Sequence, residues 1–295
     1  MTVLALLGPT AAGKSGVALR VARARGDVEI VAVDAFTVYR GMDIATAKPS
    51  PEDRAAVVHH LVDVLEPDEQ LTVADFQARA RDAVDDVRGR GRVPLLVGGA
   101  GLYWRAVVDD LRFPPTDPQL RAELEERFGD PAAAHERLAH LDPVAAERID
   151  AANLRRTVRA LEVIELTGHP FSSFATAWDE HRSIYPELTV GYLEPAAPRL
   201  RAAIDERARH MVDEGLLVEA ADLRRRFRLS STAVQAIGYA EAFAVLDGDL
   251  GEGELAEAIR RRTWRYAKRQ RSWFRADPRC VAETSDRIFS RLVHA

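Results

Sequence analysis

Eight residues near the start of the chain are of the types and spacing that hold a polyphosphate. Gly8-Pro9-Thr10-Ala11-Ala12-Gly13-Lys14-Ser15 fits G-x-x-x-x-G-K-[ST]. Gly8 and Gly13 permit the turns that aim successive backbone N–H groups at an anion. A helix starting there would add the partial positive charge of its N-terminus. Lys14 can neutralise terminal phosphate oxygens, and Ser15 can ligate Mg2+. The pattern fixes a diphosphate or polyphosphate without saying which.

A second chemical group follows the apolar run Glu29–Val33. Asp34 stands at its end, where an open parallel sheet binds ligands, so it is a candidate acid or base. Lys48, in an aperiodic stretch ending at Pro49, is either a surface lysine or a further phosphate contact. His59 and His60 invite a metal reading, but adjacent strand residues point to opposite faces and cannot easily share one ion. Far along the chain, the segment Arg260–Arg275 carries eight Arg or Lys and no acid. That clustering suits a phosphate backbone better than the net charge of −5 suggests.

These residues need elements to position them. Val3–Leu7, Glu29–Val33, His59–Val64, Val93–Val97 and Leu188–Leu193 read as strands, alternating with helices after Ser15, from Thr72 to about Arg88, and after the glycine-rich bend Gly98–Tyr103. Thr72 and Asp75 resemble a capping pair. The expected fold is α/β: a P-loop NTPase-like parallel sheet flanked by helices. Residues 113–186 look helical and polar and are expected to form a small insertion, with 1–112 and 187–295 forming the catalytic core. Leu188–Leu193 should close the sheet, and helices over about 199–214, 216–226, 233–246 and 253–276 follow. In the last of these Ile259, Thr263, Tyr266, Gln270 and Trp273 form one docking stripe.

The 295 residues are 47% hydrophobic and 29% charged, which suits a packed domain. One cysteine, Cys280, excludes an internal disulfide and fits a reducing, cytoplasmic setting. No apolar run approaches the ~18 residues of a membrane span, and no secretory signal is expected. A monomer is expected.

Several stretches together resemble the bacterial tRNA dimethylallyltransferases. They are Gly8–Ser15; Asp34 with Tyr39–Asp43 and Thr46–Pro49; His59–Leu61 through Asp75-Phe76; Gly98–Tyr103; Arg159–Val163 with Thr167-Gly168; Gln235–Tyr239; and Tyr266–Gln270 with Trp273–Arg275. They cover nearly the whole chain in the family's order. The resemblance implies transfer of a dimethylallyl group from dimethylallyl diphosphate to N6 of adenosine 37 of tRNA, with Mg2+ assisting. It implies Asp34 as general base, Thr10 and Arg207 beside the diphosphate, and Gly8, Thr10, Ala11, Ala12, Gly13, Lys14 and Ser15 around it. For the acceptor it implies Asp34, Ala35, Phe36, Thr37, Lys48, Ala100, Tyr103, Gln235, Tyr239, Lys268 and Arg269, with Arg155, Arg156 and Arg159 on the insertion. The chain departs from the family pattern at Ala35, Thr37, Ala100 and Trp264. Transfer to a free adenine nucleotide or another small aromatic acceptor is therefore an alternative. A phosphate-loop kinase and a catalytically silent RNA-binding module are others.

Overall fold

The computed structural model describes residues 2–178 and 180–295. Strand β1 (Val3–Leu7) is buried at every position, as an unbroken apolar run in a central parallel strand must be. It leads through the glycine loop into α1 (Lys14–Arg25) and β2 (Val28–Val33). A short α2 (Pro51–Ala56) and β3 (His59–His60) precede α3 (Val73–Gly89), β4 (Val93–Gly98) and α4 (Gly101–Val108). Thr72 and Asp75 do form a capping box at the start of α3. Four helices follow: α5 (Pro118–Arg127), α6 (Pro131–Leu141), α7 (Pro143–Arg148) and α8 (Leu154–Thr167). Next are β5 (Leu188–Leu193), α9 (Ala197–Asp213), α10 (Leu216–Arg226), α11 (Tyr239–Leu246) and α12 (Leu255–Ala276). The chain ends with β6 (Ala282–Glu283) and α13 (Ser285–Val293).

The strands pair in the order β3-β2-β4-β1-β5-β6, and every pairing is parallel. Leu4 and Leu6 of β1 pack on one side with Val17 and Val21 of α1 and Ile288 and Leu292 of α13. Ala5 and Leu7 face the larger core, which takes in Phe76 of α3, Trp104 of α4 and side chains of α9 to α12. A parallel sheet covered on both faces puts its ligand-binding edge at the C-terminal ends of the strands. The glycine loop, Asp34 and the Gly98–Gly101 bend all lie there.

The structure corrects several expectations. The strand foreseen over His59–Val64 stops at His60. Leu61 and Asp63 take φ of +61° and +56°, which breaks the extended run. β5 does not close the sheet, since β6 pairs beyond it and α13 covers the face shared with α1. The helix foreseen from 233 starts at Tyr239, after a single 3-10 turn over Ala233–Gln235 and Gly238 at φ +99°.

Two compact units result, one of residues 1–108 and 183–295 and one of Asp109–Arg182, against the 113–186 expected for the insertion. The smaller unit has its own core of Leu124, Leu138, Ile149, Val158 and Leu161. Its Glu162 is fully buried. It accepts from Arg121, Arg159, Thr116 Oγ1 and the Asp117 backbone. Burial alone would push this carboxyl up, but Arg159, Asp117 N–H and Arg121 together hold it below the usual range.

Candidate active site

The glycine loop is shaped to receive an anion and holds none of its own. Gly13 precedes α1 at φ +88° without any side-chain cap, and no acid sits in the helix's first turn. Its N–H groups and partial positive charge are therefore uncommitted. The Lys14 ammonium is enclosed and folds back to donate to the carbonyls of Gly8 (2.9 Å) and Pro9 (2.8 Å). Burial lowers its pKa to about 8; the negative charge of Asp34 works upward and the positive charge of Arg207 downward.

Thr10 ties the loop to two distant helices. Its Oγ1 accepts from Arg207 of α9 at 3.0 Å, and its N–H donates to Gln270 Oε1 of α12 at 2.9 Å. Gln270 Nε2 in turn donates to Gly99 O at 2.7 Å, so one amide joins both glycine bends. Gly99 allows that approach, because a Cβ there would lie 2.5 Å from Gln270 Nε2 and 2.8 Å from Gly8 O. The second guanidinium nitrogen of Arg207 donates to Ala45 O at 2.9 Å. Burial pulls the Arg207 pKa down and the charge of Asp34 opposes this. Both cations thus lie near Asp34 and hydrogen-bond only neutral groups.

Asp34 follows β2. Its Oδ1 accepts from Phe36 N at 2.8 Å, which orients the carboxylate. The other oxygen has no hydrogen-bond partner among the described residues. Asp34 opens into a recess with Thr10, Phe36, Ala45, Thr46, Arg207, Met211, Ala236, Ile237, Thr263 and Tyr266. Burial raises the phenols of Tyr266 and Tyr103, and the charge of Asp34 adds to both. The wall at Ala45 is pinned. Glu219 of α10 accepts from the N–H groups of Asp43 and Ile44, and Lys48 holds Asp43 and Asp63 at 2.6 Å each.

The cations of α12 fall into two sets. Arg260, Arg262, Arg271 and Arg275 are paired with Glu257, Glu241 and Glu194. Arg261, Arg265, Lys268 and Arg269 are exposed, and none has a carboxylate partner among the described residues. One helix therefore lines the recess with Thr263 and Tyr266, ties the loop through Gln270 and offers free positive charge outside.

The IPP transferase family model matches residues 37–277. The chain belongs to the IPP transferase family. A tRNA dimethylallyltransferase of Kineococcus radiotolerans is 49% identical, over 94% of this chain and 89% of that one. One from Thermobifida fusca is 47% identical, over 94% and 88%. The crystal structure of the tRNA isopentenylpyrophosphate transferase of Bacillus halodurans has a TM-score of 0.72 at 36% identity, covering 99% of this chain and 94% of that one. A eukaryotic dimethylallyltransferase acting on tRNA shares the fold, with a TM-score of 0.78 at 23% identity over 92% and 69%.

In this IPP transferase family member the structure gathers Thr10, Lys14, Asp34, Phe36 and Arg207 as the sequence foresaw, with Tyr103 close to Asp34 and Ser15 exposed on the first turn of α1. Arg155, Arg156, Lys268 and Arg269 are exposed. Other candidates are placed away from the recess or are already engaged by neighbouring groups. Lys48, with its side chain 3% exposed, binds Tyr39 O, Asp43 and Asp63 and is a loop clamp rather than a phosphate or acceptor contact. Arg159 is spent on Glu162 and the carbonyls of Pro114 and Pro115. Tyr239 is buried, with its hydroxyl on Glu219. Ala35 and Thr37 are also buried, so neither presents a surface to an acceptor. Gln235 is exposed and bonds its own turn at Ser231 O. Trp273 is exposed, and Phe274 takes its place in the buried stripe. His60 bonds Glu29 while His59 bonds Val57 O. The bridging role of Gln270 and the lining by Thr263 were missed. Their positions on the apolar stripe of α12 were the available signal.

Proposed function

We infer that this chain transfers a dimethylallyl group from dimethylallyl diphosphate to N6 of adenosine 37 in tRNA and releases diphosphate. The observation that carries it is the arrangement of Lys14 and Arg207, two enclosed cations bonded only to neutral atoms, around a half-free carboxylate, Asp34. The diphosphate would lie against the glycine loop and α1. As the allylic C–O bond breaks, Lys14, Arg207 and the loop N–H groups stabilise the charge growing on the leaving group. The adenine N6 lone pair forms the new C–N bond, and its proton passes to Asp34. The free cations of α12 suit the phosphates of an RNA loop, whose base must leave its stack to enter the recess.

Among the described residues no three His, Cys, Asp or Glu side chains group to hold a metal. The exposed hydroxyl of Ser15 is a hard oxygen donor, and Mg2+ needs few such protein ligands where substrate phosphates supply the rest. The donor set therefore fits Mg2+, with Ser15 as its protein ligand. When bound it would add charge neutralisation on the diphosphate. We place the reaction in the cytoplasm and expect a monomer.

The test is prenylation of an unmodified anticodon stem-loop in the presence of Mg2+, read by mass spectrometry. Asp34→Asn should lower kcat by ~10²–10⁴. Undiminished turnover in that variant would remove Asp34 from the mechanism. Prenylated adenosine monophosphate with untouched RNA would replace the acceptor.

A further inference from the structure

A second recess lies along the same helix pair. It has a volume of about 210 Å³ and is lined by Arg201, Ile204 and Asp205 of α9 with Arg260 and Trp264 of α12. Thr263 lines the reaction recess and Trp264 the second, so adjacent residues of one helix open onto neighbouring spaces. Arg201 lies over the Trp264 ring, 4.7 Å from its centroid, and Lys268 lies 5.6 Å from it. Neither Arg201 nor Lys268 has a carboxylate partner among the described residues. Arg260, by contrast, is taken by Glu257, with Asp205 3.8 Å away.

We propose that this recess is a subsite for one unpaired nucleobase of the RNA acceptor, stacked on the Trp264–Arg201 platform beside the reacting adenosine. The inference rests on the RNA-acceptor reading above and adds a contact within it. A flat, π-bearing ligand can stack on an indole or an arginine plane whatever its sequence. The lining suits the edge of a base, because Asp205 can accept from a base amine or imine N–H beside the Trp264 ring. Arg201 and Lys268 at the ring are free to meet the flanking phosphates.

The decisive experiment is an abasic scan of the loop nucleotides of an anticodon stem-loop, with KM and kcat measured for the wild type, Trp264→Ala and Trp264→Phe. One loop position should raise the wild-type KM for RNA by roughly 5- to 150-fold when made abasic, the size of one base–aromatic stack. Trp264→Ala should raise the KM of the intact RNA by a similar factor and become insensitive to that same position. Trp264→Phe should restore part of the effect. The KM for dimethylallyl diphosphate should stay unchanged throughout. Trp264 also packs with Leu200, Ile204 and Ala267 near Ala11 of the phosphate loop. A rise in the diphosphate KM without any base-specific coupling would therefore overturn the subsite in favour of a support role. Additive effects at every loop position would overturn it too. Failure of the wild type to modify the intact stem-loop would instead defeat the RNA-acceptor reading itself.

Discussion

Lys14 gives the site a built-in pH dependence. Without ligand its pKa sits at about 8, chiefly because its ammonium is buried. A bound diphosphate favours the charged form, so the pKa rises on binding and a proton is taken up. Affinity for inorganic diphosphate should be full below about pH 8 and weaken up to ~tenfold per unit as the pH climbs through that value. Calorimetric titration in two buffers of different ionisation enthalpy would report the proton uptake; affinity flat between pH 7 and 9.5 would contradict it. The same residue shows what sequence can convey. Lys14 and Ser15 were legible because a local pattern dictates their place. Lys48, Arg159 and Tyr239 were not, because a residue type does not name its partner. Lys48 meets Asp63, Arg159 meets the Pro114 and Pro115 carbonyls, and Tyr239 meets Glu219, all brought in by the fold.

Helix α12 is the element on which the site depends most. It carries the amide that links the phosphate loop to the Gly98–Gly101 bend, part of the recess wall and the unpaired cations. Gln270→Ala should leave Thr10 N–H and Gly99 O unsatisfied, costing about 1–3 kcal/mol of stability. It should also raise the KM for dimethylallyl diphosphate more than it lowers kcat, because the loop loses its support. A chemical melt and steady-state kinetics on one preparation would check both; an unchanged KM would show that the loop holds its shape alone. The helix's apolar stripe and basic composition were readable because α-helical periodicity spans many residues. The split between paired and free cations was not, since Glu194 and Glu241 lie far off in sequence. β6 escaped notice because two residues carry no periodic signal. α13 carries an apolar stripe of Ile288, Phe289, Leu292 and Val293, but at nine residues it is too short for a sustained period.

At the scale of the molecule, buried carboxylates govern acid stability. Glu29, in β2, is held at about 2 by Arg90 first and then His60, against the upward push of burial. Its folded pKa lies below its ordinary 4.5, so its contribution is complete above that value and is lost as the pH falls towards 2. Glu29→Gln should cost about 2 kcal/mol at neutral pH, less than for a fully dry pair because Arg90 and Arg92 stay partly solvated. It should also flatten the acid limb of a melting profile over pH 2–4.5, and an unaltered limb would argue against it. Glu162→Gln should act inside residues 109–182, raising hydrogen exchange there before it rises around β1 and β4. That locality has a consequence in how the chain is routed. Ile184 N–H donates to Val108 O at 2.8 Å, so the polypeptide departs from the larger unit and returns to it side by side. Such a doorway makes the excursion a cassette. Its length can grow, shrink or be exchanged over evolutionary time at a loop-closure cost that rises only with the logarithm of its length, and no strand of the sheet need be re-threaded.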